Sequence, residues 1–543
     1  MRRRGFTRAW CRLAAPVVLV VWVTGACALA DSQGGAVPPG DSQEPSSGNA
    51  ASSGADTEPP AVDVQLPAAD AQLPWSGAAG ANHTPADIRE LLPSVSEGDL
   101  AALHDGEPID TDGEKVLYRL LDRMPGITPL NFERLAVADD IWTKLADQPS
   151  AHRVAVVLLS GRAKRVDRID LPAQEAERYA FDHYFRVTLA IDDAGGDDAE
   201  RDVVLYARRA PSAWPVGEPI DEPVTAYGLF FKLAPLPTSP TDGATPTENG
   251  DDATDSPAMS DMQFVFVGNR VAWFPEKVDS RLGVTEEHVL LARLGMDIGL
   301  LDDLRELNGK PLGIADREPL YQMLAAVAQC ERKQLAQLSA APLDMAALIT
   351  QPEKQHGRLM TVEGVARRIT RIDVPDPDIR ERFGIEAYYE VEVFVPLGNL
   401  AVPILGEKED AKQAVIDNRY PVTVFVTRLP SQLAEFADKI GDQKVSEEVR
   451  ASAFSYRAWS YHSPFARQFG KQTAQVGPIL IGGDIELTSE HSEFPAYFSA
   501  VVATIFLVAL GSIWLVLWRT SRKDARVGRK LHGEGPAKDG ELR

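Results

Sequence analysis

The sequence predicts an α+β chain, mainly β: two tandem small β-barrels, each preceded by helices, and one transmembrane helix after the second. Three observations predict it. A twelve-residue phrase occurs twice, runs of alternating apolar residues follow each occurrence, and an uncharged stretch of 23 residues lies near the C-terminus. At 543 residues the chain has room for about three to four domains of roughly 150 residues each.

The chain begins with Arg2, Arg3, Arg4, Arg8 and Arg12, continues with the apolar run LAAPVVLVVWVTGA and reaches Ala28-Leu29-Ala30 before Asp31. Charge, apolar run and small-x-small site, in that order, make residues 1–30 a secretory signal. VTGAC, ending at Cys27, also fits a lipoprotein box loosely, so cleavage after Ala30 and acylation of Cys27 both stay open. Cys11 and Cys27 fall in this segment, which leaves Cys330 as the one downstream thiol and no partner for an internal disulfide. Cys330 closes the apolar run YQMLAAVAQC and reads as a small hydrophobe on a helix. Residues 31–82 are rich in Pro, Gly, Ser, Ala and Asp with little periodic apolar content, the composition of a disordered linker.

The repeated phrase is GRAKRVDRIDLP from Gly161 and GVARRITRIDVP from Gly364, identical at seven positions. It anchors two units, 83–276 and 277–490. Ahead of it the first unit carries Asp99-Leu100, Leu103, Gly106-Glu107-Pro108, Asp112, Glu114 and Leu117-Tyr118. The second carries Asp303-Leu304, Leu307, Gly309-Lys310-Pro311, Asp316, Glu318 and Leu320-Tyr321 in the same order. VLYRLLDRM and LYQMLAAVA place apolar residues three and four apart, as amphipathic helices on a core do.

Each phrase belongs to a long strand whose shared glycine marks a bulge or sharp bend. YFRVTLAI from Tyr184 and YYEVEVFV from Tyr388 alternate as half-buried strands. VVLYA from Val203 and LAVPIL from Leu400 are read as the third strands. An aromatic fourth strand follows, VTAYGLFFKLA from Val224 and ASAFSYRAWSY from Ala451. The fifth is FVFVGNRVAWF from Phe264 and PILIGGDIEL from Pro478, which matches Gly268 to Gly482. The first unit holds an acidic disordered insertion at 238–261 between its last two strands. The second holds extra material: a helical EKEDAKQAVID from Glu407, the strand YPVTVFVTRL, whose partner stays open, and QLAEFADKIG.

This order, a long Gly-bent strand, two strands, an optional helix and two more strands, resembles the OB-fold, a five-stranded Greek-key barrel; another small barrel would read almost the same. The repeat, the FFK or YRxWSY strand and the G-x-[IV] ending are also similar to segments of membrane-anchored proteins of planctomycete-type bacteria. That resemblance implies an envelope location and brings no activity with it.

Residues 496–518 would cover about 34 Å as a helix, enough to span a bilayer. Arg519, Arg522, Lys523, Arg526, Arg529 and Lys530 follow, so the positive-inside bias puts the basic tail, 519–543, in the cytoplasm. The expected location is therefore the inner (plasma) membrane, crossed once, with both units outside and membrane lipid contacted through 496–518. Without leader and tail the chain holds 43 basic and 75 acidic residues, a formal −32. Such a field repels phosphate backbones, so nucleic acid is not expected as a partner and a protein of the cell envelope is.

No nucleophile elbow, His-Glu-x-x-His pair, Cys-x-x-Cys pair, phosphate-cradling loop or dinucleotide fingerprint occurs, so no catalytic residue, metal or cofactor is assigned. Glu286-Glu287-His288 lacks a second histidine one turn on and reads as a helix start. Arg165 and Arg168, with Arg368 and Arg371, are candidates for twin anion or partner contacts, since guanidinium forks grip carboxylate or phosphate. The competing reading pairs them with Asp170 and Asp373. Tyr184, Tyr388 and Tyr389 are candidates for an aromatic surface on strands two and three, although alternation turns one of each adjacent aromatic pair inward. The expected function is a non-catalytic binding or assembly module, with a dispersed-site enzyme acting on envelope substrates as the alternative.

Overall fold

The computed structural model describes residues 85–137, 141–191, 201–236, 262–339, 341–404, 414–437, 445–463, 474–488 and 503–519, all within one compact unit, Val62–Arg543. The leader, the linker up to Asn82, the acidic insertion and the tail beyond Arg519 lie outside the described residues.

The first barrel is built from β1 (Val156–Asp170), β2 (His183–Ile191), β3 (Arg201–Arg209), β4 (Pro219–Pro235) and β5 (Met262–Arg270), with a short β6 (Ala272–Trp273) beside β4. β1 pairs with both β2 and β4, β3 runs parallel to β5, and β5 pairs with β4, so the sheet closes in the order 1-2-3-5-4-1. The second barrel repeats this with β7 (Leu359–Asp373) and β8 (Ala387–Pro396) as strands one and two. A small hairpin, β9 (Val402–Ile404) with β10 (Ala414–Ile416), precedes its third strand, β11 (Arg419–Val426). β12 (Glu447–Tyr461) and β13 (Gln475–Gly482) close it, with β14 (Glu486–Leu487) beside β12. β11 and β13 are the parallel pair. Strand order and pairing sense are those of the OB-type barrel in both units.

The repeated phrase encodes the same two devices twice. Gly161 pairs with Val224 on one side and Ile191 on the other, at the point where β1 passes from one neighbour to the next. A Cβ there would sit 2.0 Å from the Ala190 carbonyl oxygen, and at Gly364 2.5 Å from that of Phe394. The bulge itself lies three residues on, at Lys164 between Ala163 and Arg165 and at Arg367 between Ala366 and Arg368. The glycine therefore serves close approach of strands, and the bulge expected at it is displaced.

Helices α1 (Glu97–Ala101), α2 (Thr111–Arg123), α3 (Pro129–Leu135) and α4 (Ile141–Asp147) form the first lead, and α5 (Ala173–Tyr179) joins β1 to β2. The second lead is α6 (Glu286–Arg293), α7 (Leu300–Leu307), α8 (Arg317–Ala328), α9 (Arg332–Leu338) and α10 (Met345–Thr350), while α11 (Pro377–Phe383) and α12 (Ser431–Ala437) belong to barrel connections. Alternation sends Val187, Leu189, Val203, Leu205 and Phe266 into the first barrel. Tyr184, Phe231, Val265 and Val267 lie on the opposite face and pack with Leu117, Leu120 and Leu121 of α2. In the second barrel Val391, Val393, Val422 and Val424 face inward. Tyr388, Phe425, Ile479 and Ile481 meet Leu320, Tyr321 and Leu324 of α8. Each lead is thus a lid on its own barrel, and both are pinned by the same chain of rings. Tyr118 touches Tyr184 at 6.1 Å and Tyr184 touches Tyr206 at 5.7 Å; Tyr321 touches Tyr388 at 6.2 Å and Tyr388 touches Phe425 at 5.4 Å.

A second duplicated contact fixes each lead to strand four. After a bulge in β4 and β12 stand Lys232 and Arg457. Lys232 Nζ donates to the Glu107 carbonyl at 2.8 Å, and Arg457 to those of Leu307 at 2.7 Å, Lys310 at 2.9 Å and Pro311 at 3.1 Å. Both cations therefore hold the matched Gly-x-Pro turns. Just before strand one, Arg153 pairs with Asp105 at 2.6 Å, while His356 takes the same seat in the second unit with Asn308, 3.1 Å away. The next residues, Val154 (φ 59°) and Gly357 (φ 72°), share a left-handed backbone.

Three expectations are corrected here. The third strand of the second unit is Arg419–Val426, which contains PVTVFV and pairs with β8 and β13; LAVPIL instead supplies half of the hairpin. Ala414–Ile416, expected at the end of a helix, is the other half. The membrane-crossing helix over 496–518 is not upheld: among the described residues no helix is long and apolar enough to cross a membrane. The C-terminal helix is described over 503–519, 17 residues including Arg519.

Candidate functional site

A cleft of about 960 Å³ opens between the first barrel and the second unit. Its floor is β4 at Thr225, Ala226 and Tyr227, with Phe132 of α3 stacked on Tyr227 at 5.7 Å and 8° between ring planes. One wall joins the ends of β3 and β5 to α7, and the other joins α8 to α11. The second lead therefore closes one barrel with one side and builds the cleft with another.

The walls are ion pairs. Arg270 reaches Asp297 at 3.2 Å and Asp303 at 3.1 Å, and Arg209 also holds Asp303. Asp297 is buried and accepts the Trp273 and Gly299 N–H groups at 2.9 and 2.8 Å. Burial pushes its carboxyl up, and Arg270 with those two donors pulls the other way. Across the cleft Arg317 donates to Asp376 at 2.8 Å and Asp378 at 2.6 Å. Arg382 grips Glu318 through two bonds of 2.6 and 2.9 Å. Burial raises Glu318, but that fork outweighs it and holds the carboxyl below its usual range. Arg382 also lies 3.5 Å from Glu133 of α3, and Arg134 pairs with Glu381, so both barrels' helices meet through charge. Truncating one partner of such a buried pair costs about 3–5 kcal/mol, because the other is left uncompensated.

Not every polar group of the lining is spent this way. The side chains of Asn131, Asn269, Thr225 and Glu306 and the Tyr227 hydroxyl make no hydrogen bond among the described residues.

None of the residues singled out from sequence lines the cleft. Arg165 pairs with Asp167 at 2.8 Å, Arg168 with Asp170 at 2.8 Å, Arg371 with Asp373 at 3.0 Å and Arg368 with Glu390 at 3.0 Å. Arg371 and Tyr389 border a second hollow of about 730 Å³ that shares Gly295, Gln322 and Arg382 with the cleft. Tyr184 and Tyr388 are buried beneath the helical leads, so neither contributes an aromatic surface; Tyr389, one position out of phase, is half-buried. His288 caps its own helix with Thr285 and lies 3.1 Å from the His356 carbonyl. Among the described residues no three His, Cys, Asp or Glu side chains gather as a metal site. Cys330 is buried just past α8, and burial raises its thiol pKa.

Glu392 and Arg457 went unremarked in the sequence. Glu392 is 2 % exposed on β8 and burial pushes its carboxyl up to about 8, with Arg368 3.8 Å away. Glu392 stands in phase with Glu390 on the polar side of the YYEVEVFV alternation, so the sequence carries no signal of its burial.

No family model matches the sequence, and no curated protein does. Among solved structures, the mitochondrial single-stranded DNA binding protein Rim1 of S. cerevisiae is 12% identical. The match covers 24% of this chain and 93% of that one, with a TM-score of 0.11. Fission yeast Pot1, solved with ssDNA, is 10% identical, covering 63% of this chain and 85% of that one, with a TM-score of 0.15. Scores of this size carry no argument about the ligand of this chain. With single-stranded DNA proteins among its structural neighbours, however, the expectation that excluded nucleic acid as a partner is withdrawn.

Proposed function

We infer that the two units form one non-catalytic binding module of an exported protein, with its ligand seated in the cleft between them. One observation carries this reading: each helical lead packs on the fifth strand of its barrel and reaches strand two at a tyrosine, Tyr184 or Tyr388, and the large cleft lies beyond it, between the two units. The large concave surface left is the junction. Its arginines are all tied to carboxylates, an arrangement that holds shape rather than poising an acid against a base. The leader at 1–30 supports export, and the acidic composition suits a crowded extracytoplasmic compartment.

The test compares the full-length chain with a Thr225→Trp variant, whose indole fills the cleft floor. Both are used as affinity bait on a cell-envelope fraction, and retained glycans and proteins are identified. Components held by the parent and lost from the variant support the reading; identical retention by both would sink it.

A further inference from the structure

We propose that the cleft binds a neutral oligosaccharide, held by the side chains of Asn131, Asn269 and Thr225 and by the ring of Tyr227. The proposal rests on the binding-module reading and names its ligand class.

Charge excludes the obvious competitors. Each of the five arginines lining the cleft, Arg134, Arg209, Arg270, Arg317 and Arg382, already has a carboxylate partner. An anionic ligand would have to displace one of those carboxylates, leaving a charge without compensation, and would meet the unpaired Glu306 besides. A cation would find only the exposed Glu306, since the other carboxylates of the lining are already bonded to arginines. What remains to bond a ligand is two amides, a threonine hydroxyl, a phenol and one carboxylate, all without hydrogen bonds among the described residues. Amides pair with hydroxyls both as donors and as acceptors, and a carboxylate accepts from them.

Backbone pairing excludes a strand-like peptide. Peptides that add to a sheet need an open edge, and Thr225 is paired with Ser160 on one side and Ala272 on the other. A sugar needs no edge. It needs an apolar ring for its C–H face and planar polar groups around it. Tyr227, backed by Phe132, and Phe274 supply the rings. A volume of about 960 Å³ stands at the upper end of the roughly 300–1,000 Å³ of small-ligand sites, room for a ligand of several rings.

The experiment probes the full-length protein with an array of uncharged di- to hexasaccharides and, in parallel, an array of random hexapeptides. Affinities of the strongest binder are measured by calorimetry against Asn269→Ala and Thr225→Trp. Asn269 is half-buried and its side chain has no hydrogen bond among the described residues to lose, so its truncation leaves folding intact. The expected result is saccharide binding that weakens about tenfold in Asn269→Ala, the loss of one or two hydrogen bonds, and vanishes in Thr225→Trp. Saccharide binding indifferent to Asn269→Ala overturns the proposed seat. Peptide binding blocked by Thr225→Trp, with no saccharide bound, overturns the ligand class and leaves the binding module standing. Binding of either class that survives Thr225→Trp, or binding of neither, overturns both.

Discussion

Acid should weaken this fold through His356, and the size of the effect follows from its seat. His356 is 5 % exposed, with Nε2 3.1 Å from the Asn308 side chain and Nδ1 without a partner. Burial comes first, then Arg305 and Arg457, in driving its pKa from 6.5 down to about 3. The first unit seats Arg153 at the same place and neutralises it with Asp105. The second has Asn308 there, which cannot compensate a charge, so the imidazole stays neutral. The unfolded chain takes up a proton near pH 6.5 and the folded chain does not until about 3. Stability from this group is therefore full above 6.5 and falls as pH drops, by about 1.4 kcal/mol per unit, reaching about 2 kcal/mol at pH 5. His288, likewise lowered by burial, adds in the same direction. Other groups titrate too, so the assay is a difference. Urea unfolding of the parent and of His356→Asn, followed by tryptophan fluorescence at about pH 8 and pH 5, cancels everything common to both chains. The parent should lose about 2 kcal/mol more than the variant across that interval. A difference that stays flat with pH would refute the reasoning.

Glu392→Gln should show the opposite slope. The parent's carboxyl titrates near 8 when folded and near 4.5 when unfolded, so the parent loses stability relative to the variant as pH rises across that window, again by about 1.4 kcal/mol per unit in urea unfolding. Arg457→Met should cost about 3–5 kcal/mol, since it strands Asp316, fully buried and 2.6 Å away; adding Asp316→Asn should recover part of that in the same melt. Gly364→Ala should destabilise by about 3 kcal/mol, because its Cβ meets the backbone of Phe394. Gly126→Ala, with open space around it, should change the thermal midpoint hardly at all.

What could be read in the sequence was what the duplication wrote twice. Two Arg-x-x-Arg-Ile-Asp phrases gave the first strands, and the matched Gly268 and Gly482 are equivalent in the structure, each facing strand four, at Gly228 and Ala453. Local periodicity likewise found α2 and α8. It misplaced the third strand of the second unit, because LAVPIL and PVTVFV have the same apolar alternation, and only pairing with β8 and β13 tells them apart. The C-terminal expectation rested on apolar composition over 496–518, of which the structure describes 503–518, and among the described residues no helix is long and apolar enough to cross a membrane. The cleft was illegible for a different cause. Arg270 meets Asp297, Arg317 meets Asp376, and Arg382 meets Glu318 across 64 residues, contacts that no window of sequence contains.

That illegibility follows from how a duplicated fold acquires a site. A single unit, barrel plus lid, packs its own helices on strand five and on the ring chain Tyr118–Tyr184–Tyr206. The second copy restores a concave surface only because its lead faces two ways: Leu320, Tyr321 and Leu324 cover its own barrel, while Asp297 and Asp303 turn toward Arg270 and Arg209 of the first. The first unit has no barrel ahead of its lead among the described residues to turn toward. Glu114, which matches Glu318 in the repeat, is exposed, whereas Glu318 is gripped by Arg382. The two copies thus share their folding contacts, the ring chain, the Gly-x-Pro anchor and the bent first strand. They differ at the positions where one copy touches the other, and those positions line the cleft.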